Sequence, residues 1–309
     1  MTGRLKNESG FALILTLVVT ALMVAVVVEM IHQVYVDTSL SRGFRDGQQA
    51  SILAESGVIA VKTALSGSVT PSMLSTFLAQ PLRDEEVGSL EIKISDESGK
   101  INVNDLVSTA GVYNDVVRKA LIRLGTILNP QLPESIWPVV ADWISPVGIT
   151  HSGGAEASYY STRKPPYKIR NSRLMMLAEL SMVKGGTPEI ATKLAPYLRT
   201  FSDAQNTPGI SQVNINTAPK EVLQALDSTI DSSTADRIIE QRRIKLFENI
   251  GDVNTRVPGT GTLVGNTMLI CKDKGSLFRI TSIGRVKDST RTVEAVVRLT
   301  GEILSWQEY

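Results

Sequence analysis

The spacing of hydrophobic and polar positions changes along the chain. Residues 11–28 contain no charged side chain, and as a helix rising about 1.5 Å per residue they come close to crossing a bilayer core of about 30 Å. Arg4 and Lys6 precede this run and are opposed only by Glu8, so the positive-inside tendency keeps the N-terminus in the cytoplasm. We therefore expect a single transmembrane helix over residues 11–31, with the rest of the chain outside the cytoplasm.

Helical spacing continues beyond this run and then gives way to alternation. Residues 34–66 contain no proline and carry an apolar face, which predicts one long helix from Phe11 to about Leu65. Apolar and polar residues alternate over 90–94, which predicts a strand, and a second strand is predicted over 100–104. Residues 277–283 and 291–300 predict a hairpin that turns at 287–289.

Between these strands the helical spacing returns, over 116–128, 136–144, 221–226 and 234–244. The predicted fold is α+β: a long N-terminal helix packed on a small antiparallel sheet, with a large inserted all-helical domain over 105–271. Residues 32–104 supply the rest of the long helix and the first strands, and 272–309 complete the sheet.

An apolar-Asn-apolar-Asn pattern occurs twice within this region. It spans 101–104 and 213–216, and each copy precedes a predicted helix. The repetition predicts two similar helical units, at about 105–205 and about 206–271.

The start of the apolar run carries a family signature. A short basic leader ends in Gly10, and Phe11 begins the apolar run directly. This junction resembles the class III signal of type IV pilins and type II secretion pseudopilins. The resemblance implies that a prepilin peptidase removes residues 1–10, methylates Phe11 and leaves the helix in place. A cleaved secretory signal is a poor alternative because residues 29–32 offer no small-x-small site; a plain membrane anchor is the other.

Further residues narrow the resemblance. Leu15 is the fifth residue after the junction, where major subunits of the family carry glutamate, and K-type minor pseudopilins lack that charge. Ala141–Ile144, Gly153–Glu156 and Val213–Pro219 stand in the order seen in the K-type family. The chain thus resembles general secretion pathway protein K, in which the inserted region consists of two units similar to sterile-alpha-motif or helix-hairpin-helix folds.

This resemblance implies a role in assembly. A K-type minor pseudopilin is anchored in the bacterial inner membrane, lies mostly in the periplasm and forms the pseudopilus tip in protein secretion. Its implied partners are the I- and J-type minor pseudopilins, the major pseudopilin and the prepilin peptidase, with the secretin channel or exported proteins as further candidates. A tip minor pilin of a related type IV pilus remains the alternative.

The resemblance also implies a candidate calcium site. Asp142 and Glu156 are the carboxylates available between residues 142 and 160. Calcium takes six to eight oxygen ligands in proteins, and Ser145–Val147 stands where the family tends to carry further aspartates. We therefore expect no functional calcium site here, although calcium is the one cofactor that the resemblance leaves open. His151 has no second histidine near it in the sequence, which argues against a transition-metal site.

Nucleic-acid binding is a second class of function to consider. Residues 213–254 resemble helix-hairpin-helix segments, but there is no glycine between Leu226 and Ala235 to let a backbone amide approach phosphate. Asp227 and Asp231 in that turn would repel a phosphate backbone. The basic residues that follow are Arg237, Arg242, Arg243 and Lys245. We interpret them as a solvated helix face and expect no nucleic-acid partner.

Composition adds two limits. The net charge is +1, which gives no bulk attraction to nucleic acid or anionic lipid. Cys271 is the single cysteine, so the chain has no intrachain disulfide and no cysteine-cluster metal site. No phosphate-binding glycine loop or nucleophile motif is present, and we expect no enzymatic activity.

Overall fold

A computed structural model describes residues 5–67, 74, 78, 80–84, 87–128, 134–202, 211–265, 268–271 and 275–309. A long helix lies on a five-stranded sheet, and a mostly helical region is inserted between the second and third strands of that sheet along the chain. The helices are α1 (Leu5–Ser66), α2 (Asp115–Leu128), α3 (Ile136–Ile144), α4 (Ala157–Ser161), α5 (Pro188–Leu194), α6 (Lys220–Leu226), α7 (Ser232–Ile244) and α8 (Ile250–Arg256). The strands are β1 (Leu82–Asp84), β2 (Gly88–Asp96), β3 (Ile101–Asn102), β4 (Leu198–Arg199), β5 (Val213–Asn214), β6 (Leu269–Ile270), β7 (Leu277–Val286), β8 (Ser289–Arg298) and β9 (Ile303–Glu308).

Helix α1 is unbroken, which confirms the long helix predicted from Phe11 to about Leu65. One glycine of α1 and one glycine of β7 let the helix lie close to the sheet. A Cβ atom on Gly57 would lie 2.3 Å from Ser282 Oγ, and one on Gly284 would lie 2.2 Å from the Ala50 carbonyl oxygen. Both positions must be glycine for the helix and the sheet to pack this tightly.

The sheet has the order β1-β2-β7-β8-β9, and every neighbouring pair is antiparallel. One face of it buries the outer half of α1. The helix contributes residues at helical spacing and the strands contribute alternate residues, as each geometry requires. This core contains Ala54, Val58, Val61, Leu65, Ile92, Phe278, Ile280, Val293, Ala295 and Val297.

The predicted β7–β8 hairpin is confirmed, with a tighter turn than expected. The strands are paired as far as Val286 and Ser289, so only Lys287 and Asp288 form the loop. Lys287 has a φ of 51°, a conformation typical of two-residue hairpin turns. The edge strands β1 and β9 were not predicted.

The strand predicted over 100–104 is present in part, but it does not belong to the main sheet. Ile101 and Asn102 form β3, which pairs in parallel with β4 rather than with the main sheet. The side chains of Ile101 and Val103 are fully buried in the core of the inserted region. The first strand of the sheet therefore ends at Asp96, and the chain enters the inserted region several residues earlier than expected.

The inserted region is helical, as predicted, and it also contains short strands of two residues. Besides β3 and β4, strands β5 and β6 form a second parallel pair. The four predicted helices are present as α2, α3, α6 and α7. The predicted boundary near residue 205 lies outside the described residues, since 203–210 are not described.

In the first unit, asparagine side chains hold the start of the unit against segments distant in the sequence. Asn102 Oδ1 accepts the backbone N–H of Asn104 at 3.1 Å, which fixes the turn after β3. Asn104 Nδ2 donates to the carbonyl oxygens of Leu174 at 2.9 Å and Thr200 at 2.8 Å, and its Oδ1 accepts the Leu174 N–H at 2.8 Å. We call this set of contacts the Asn104 clamp.

The second unit repeats the arrangement. Asn214 Oδ1 accepts the N–H of Asn216 at 3.2 Å. Asn216 Nδ2 donates to the Phe247 carbonyl oxygen at 2.9 Å, and Asn216 Oδ1 accepts the Phe247 N–H at 2.9 Å. This Asn216 clamp shows that the repeated sequence pattern marks a repeated structural motif.

A charged joint connects the inserted region to the sheet. Glu97 follows β2, and its buried carboxylate contacts Lys100 Nζ at 2.7 Å and Arg279 Nε at 3.0 Å. Ser98 Oγ accepts the backbone N–H groups of Ser276 and Leu277, where the chain returns to the sheet. The segment that leaves the sheet and the segment that returns to it are thus hydrogen-bonded to each other.

Candidate functional site

The leader junction lies within α1. Helix α1 begins at Leu5, so the Gly10–Phe11 peptide bond is part of a continuous helical backbone. Phe11 is 69% exposed and Leu15 is 53% exposed, and nothing approaches a Cβ position on Gly10 within 4 Å. The junction and the fifth position after it are therefore open to other molecules.

The same helix has the properties of a membrane span. Among the described residues, Gly10–Ser66 forms one helix long and apolar enough to cross a bilayer; its most apolar 18-residue window has a mean hydropathy of 3.0 and none of it is buried. A fully exposed apolar helix is unstable in water and stable in lipid. The helix thus fits a single-pass membrane anchor near the N-terminus.

The candidate calcium residues differ in their surroundings. Asp142 lies near the end of α3, and its side chain is 3% exposed. Its Oδ1 accepts the backbone N–H of His151 at 2.7 Å and contacts the His151 ring at Nδ1, 2.8 Å away. Glu156 is exposed at the start of α4 and makes no capping hydrogen bond there.

These residues do not fit a calcium ion. One oxygen of Asp142 already receives two hydrogen-bond partners from His151, and the Gly154 backbone covers the other: a Cβ there would lie 1.8 Å from Oδ2. Within the described ranges no three or more His, Cys, Asp or Glu side chains converge as a metal site would require. Calcium needs six to eight oxygens, which this arrangement does not supply.

The loops around Asp142 rest on an aromatic cluster. Trp143 and Tyr160 have ring centroids 5.2 Å apart, and Tyr167 lies 5.5 Å from Tyr160. Burial raises the pKa of Tyr160 to about 12, so its hydroxyl stays protonated. These aromatic side chains thus pack in the core of the inserted region and against it.

The basic residues of the helix-hairpin-helix-like segment contact the protein itself. Arg242 Nη1 donates to the carbonyl oxygens of Ile215 at 2.7 Å and Ala218 at 2.8 Å. Burial lowers the pKa of Arg242 to about 10. Arg237 donates to Thr234 Oγ1, and Lys245 pairs with Glu248 at 2.7 Å. The interpretation as a solvated face is wrong for Arg242, whose charge stabilises the turn after β5.

The single thiol of the chain, that of Cys271, is not a reactive group. Cys271 is half-buried and packs against the core of the inserted region. Burial raises its pKa to about 12, which keeps the thiol protonated at neutral pH.

Sequence reasoning missed two sets of residues. It gave His151 no role, yet both ring nitrogens of His151 contact oxygen atoms. It recognised Asn104 and Asn216 as parts of a repeat but not as clamps. Gly153 and Gly154 were a usable signal, because adjacent glycines often mark a close approach of the backbone to another group.

The comparisons with known proteins identify a family. Models of the family described as "Type II secretion system (T2SS), protein K" match residues 99–202 and 213–269, which together make up more than half of the chain. Both describe the secretion protein, which favours secretion over the type IV pilus alternative.

Relatives and a solved structure agree with the family models. Type II secretion system protein K of Pseudomonas aeruginosa is 27% identical over 191 residues, covering 60% of this chain but only 54% of that protein. The protein of the same name from Aeromonas hydrophila is 21% identical over 94% of this chain and 93% of its own length. The crystal structure of the GspK-GspI-GspJ complex from enterotoxigenic Escherichia coli contains a chain with the same fold: the TM-score is 0.66 at 19% identity, covering 90% of this chain and 99% of that one. The chain belongs to the type II secretion system protein K family, the K-type minor pseudopilins.

Proposed function

We propose that this minor pseudopilin forms the tip of a periplasmic pseudopilus and supports protein export across the outer membrane. Its role is structural rather than catalytic. The observation that carries the proposal is the large region inserted between β2 and β7 and joined to the sheet through Glu97 and Arg279. In a helical stack of small subunits, a region of this size would collide with the subunit above it. Only the end of the stack leaves it room.

The membrane-spanning part of α1 supplies the other half of the proposal. Leu15 places no carboxylate in the apolar run, and a lone charge at the bilayer centre would cost about 2.5–3.5 kcal/mol. A subunit that begins the assembly has no earlier neighbour whose terminal amine such a carboxylate would pair with. We place residues 11–31 in the inner membrane and the bulk of the chain in the periplasm.

The partners follow from the same proposal. A solved structure with the same fold is part of a GspK-GspI-GspJ complex. We propose that this chain likewise assembles with I- and J-type minor pseudopilins, below which the major pseudopilin continues the stack. The secretin channel or an exported protein is the candidate contact for the inserted region.

The processing step gives the first test. The mass of the N-terminal peptide is measured from cells with and without the prepilin peptidase. We expect a mature chain that begins with N-methylated Phe11, formed only when the peptidase is present. Gly10→Val should block the cleavage, and Gly3→Val should leave it unchanged. An intact leader in both strains would reduce α1 to an ordinary anchor and contradict the proposal.

Assembly gives the second test. The full-length chain, tagged and extracted from membranes with detergent, should recover the I- and J-type subunits in stoichiometric amounts. Recovery of neither subunit from cells in which both are expressed would contradict the tip assignment, whatever the outcome of the processing test.

A further inference from the structure

His151, in the loop between α3 and α4, contacts two oxygen atoms of different kinds. His151 Nδ1 lies 2.8 Å from Asp142 Oδ1, and His151 Nε2 lies 2.9 Å from the carbonyl oxygen of Gly111. The side chains of His151 and Asp142 are only 7% and 3% exposed. We infer that His151 closes this loop in place of a bound cation, so that the loop folds without calcium.

Both contacts of the His151 ring are with oxygen atoms. A carbonyl oxygen only accepts, so Nε2 must donate its proton to Gly111. Nδ1 contacts a carboxylate oxygen of Asp142. The ring therefore bridges a buried carboxylate and a carbonyl oxygen, which are the two ligand types that calcium prefers.

Little space is left around the Asp142 carboxylate. Gly154 donates its N–H to the His151 carbonyl oxygen at 2.9 Å, and its Cα lies so close to Asp142 that no side chain would fit. The Tyr113 ring covers the imidazole with the centroids 4.3 Å apart. The volume that a hydrated cation and its ligands would need beside Asp142 is filled by these groups.

His151 joins separate segments of the first unit. Asp142 is on α3, Gly111 lies in the loop before α2, and His151 lies between α3 and α4. A Cβ on Gly111 would lie 2.7 Å from Ile149 Cγ2, so the two loops are also in direct contact. Loss of the histidine should therefore loosen both loops together.

Hydrogen exchange of the full-length chain in detergent micelles tests the inference. Peptides covering 145–156 and 107–113 are followed in millimolar calcium and in chelator. We expect the wild-type chain to exchange at the same rate in both solutions. His151→Ala should speed exchange in both peptides by about tenfold or more, because it removes both hydrogen bonds of the ring. His151→Gln, which keeps a donor, should have a smaller effect and guards against a variant that fails to fold.

The matched control is Glu156→Gln. Glu156 is the second candidate calcium carboxylate but takes no part in the histidine contacts, so this variant should exchange like the wild type. Slower exchange of the wild-type loop in calcium would overturn the inference. So would an effect of Glu156→Gln on these peptides, or unchanged exchange in both His151 variants.

Discussion

Asn104 and Asn216 occupy equivalent positions in the two inserted units, yet they close segments of different length. The Asn104 clamp reaches Leu174, 70 residues along the chain, whereas the Asn216 clamp reaches Phe247, 31 residues along. The extra loop length costs only about 0.7 kcal/mol of closure entropy on a logarithmic scale. The motif therefore tolerates wide variation in what it encloses, and the first unit uses that freedom to carry the His151 loop and the aromatic cluster.

The two units also differ in how arginine supports the motif. Arg199 is 1% exposed and donates to the carbonyl oxygens of Lys100, Phe201 and Gln212, so it ties together both ends of the first unit. Arg242 serves one turn of the second unit. The first unit, which closes the longer segment, thus has more hydrogen bonds from its arginine side chain to backbone carbonyl groups.

The largest effect should come from removing the clamps. Asn104→Ala leaves the backbone groups of Leu174 and Thr200 without the Asn104 side chain and should lower the free energy of unfolding by about 4 kcal/mol. Asn216→Ala removes the contacts with the Phe247 backbone and should lower it by about 2 kcal/mol. Urea unfolding of the full-length chain in micelles measures both. An equal or greater loss for Asn216→Ala would show that the number of clamp contacts does not distinguish the units.

The charged joint should give the next largest effect. Removal of the buried Glu97 charge leaves Arg279 and Lys100 without that partner, and Glu97→Gln should lower stability by about 3 kcal/mol at neutral pH. Glu240→Gln, an exposed change in the second unit, should leave stability unchanged.

The ion pairs of Glu97 should also make the folding stability depend on pH. Burial alone would raise the pKa of Glu97, but the charges of Arg279 and Lys100 outweigh it and hold the pKa below the usual 4.5. A carboxyl whose pKa is lowered by folding contributes stability that is complete above its unfolded pKa and is lost as the pH falls through the folded value. The wild type should lose more stability than Glu97→Gln as the pH falls below about 4.5. Parallel pH profiles for the two proteins would contradict this.

A smaller effect should separate two adjacent arginines of the second unit. Arg242→Ala removes donors from the Ile215 and Ala218 carbonyl oxygens and should cost about 2 kcal/mol. Arg243→Ala, at an exposed position, should stay within about 0.5 kcal/mol of the wild type. Thermal unfolding of the two variants side by side measures the difference, and similar melting temperatures would show that Arg242 does not stabilise the turn.

The smallest effect should come from removing helix caps, and it should be equal in the two units. Helices α5 and α8 each have seven residues, and each starts with a side-chain cap: Thr187 Oγ1 accepts the Ile190 N–H, and Asn249 Oδ1 accepts the Asp252 N–H. Alanine at either cap should cost about 1 kcal/mol. Clearly unequal losses would mean that the two units differ in helix stability as well as in closure.

Long periodic segments explain which elements the sequence could predict. Helix α1, β2 and the β7–β8 hairpin each present many residues to one core, so their spacing is visible. Strands β3 to β6 have two residues each, and two residues carry no period. The edge strand β9 is mostly exposed, so its residues show no alternation between apolar and polar.

The candidate site shows a different limit. Asp142 and His151 are nine residues apart across a loop without regular structure, so no spacing rule brings them together. The Asn repeat was visible in the sequence, but its partners Leu174 and Phe247 contribute backbone groups, which every residue has. Side-chain contacts with backbone atoms leave almost no trace in the sequence.

The inserted region leaves the sheet after β2 and rejoins it at β7 at adjacent points, which has an evolutionary consequence. Ser98 Oγ and Ser276 Oγ are 3.2 Å apart, and β2 and β7 are antiparallel neighbours that a tight turn alone would connect. A region with neighbouring ends can be gained or lost there in one recombination event without altering the register of either strand. The same position should accept a foreign domain with close termini, so a pseudopilus tip could be given a new binding activity by grafting.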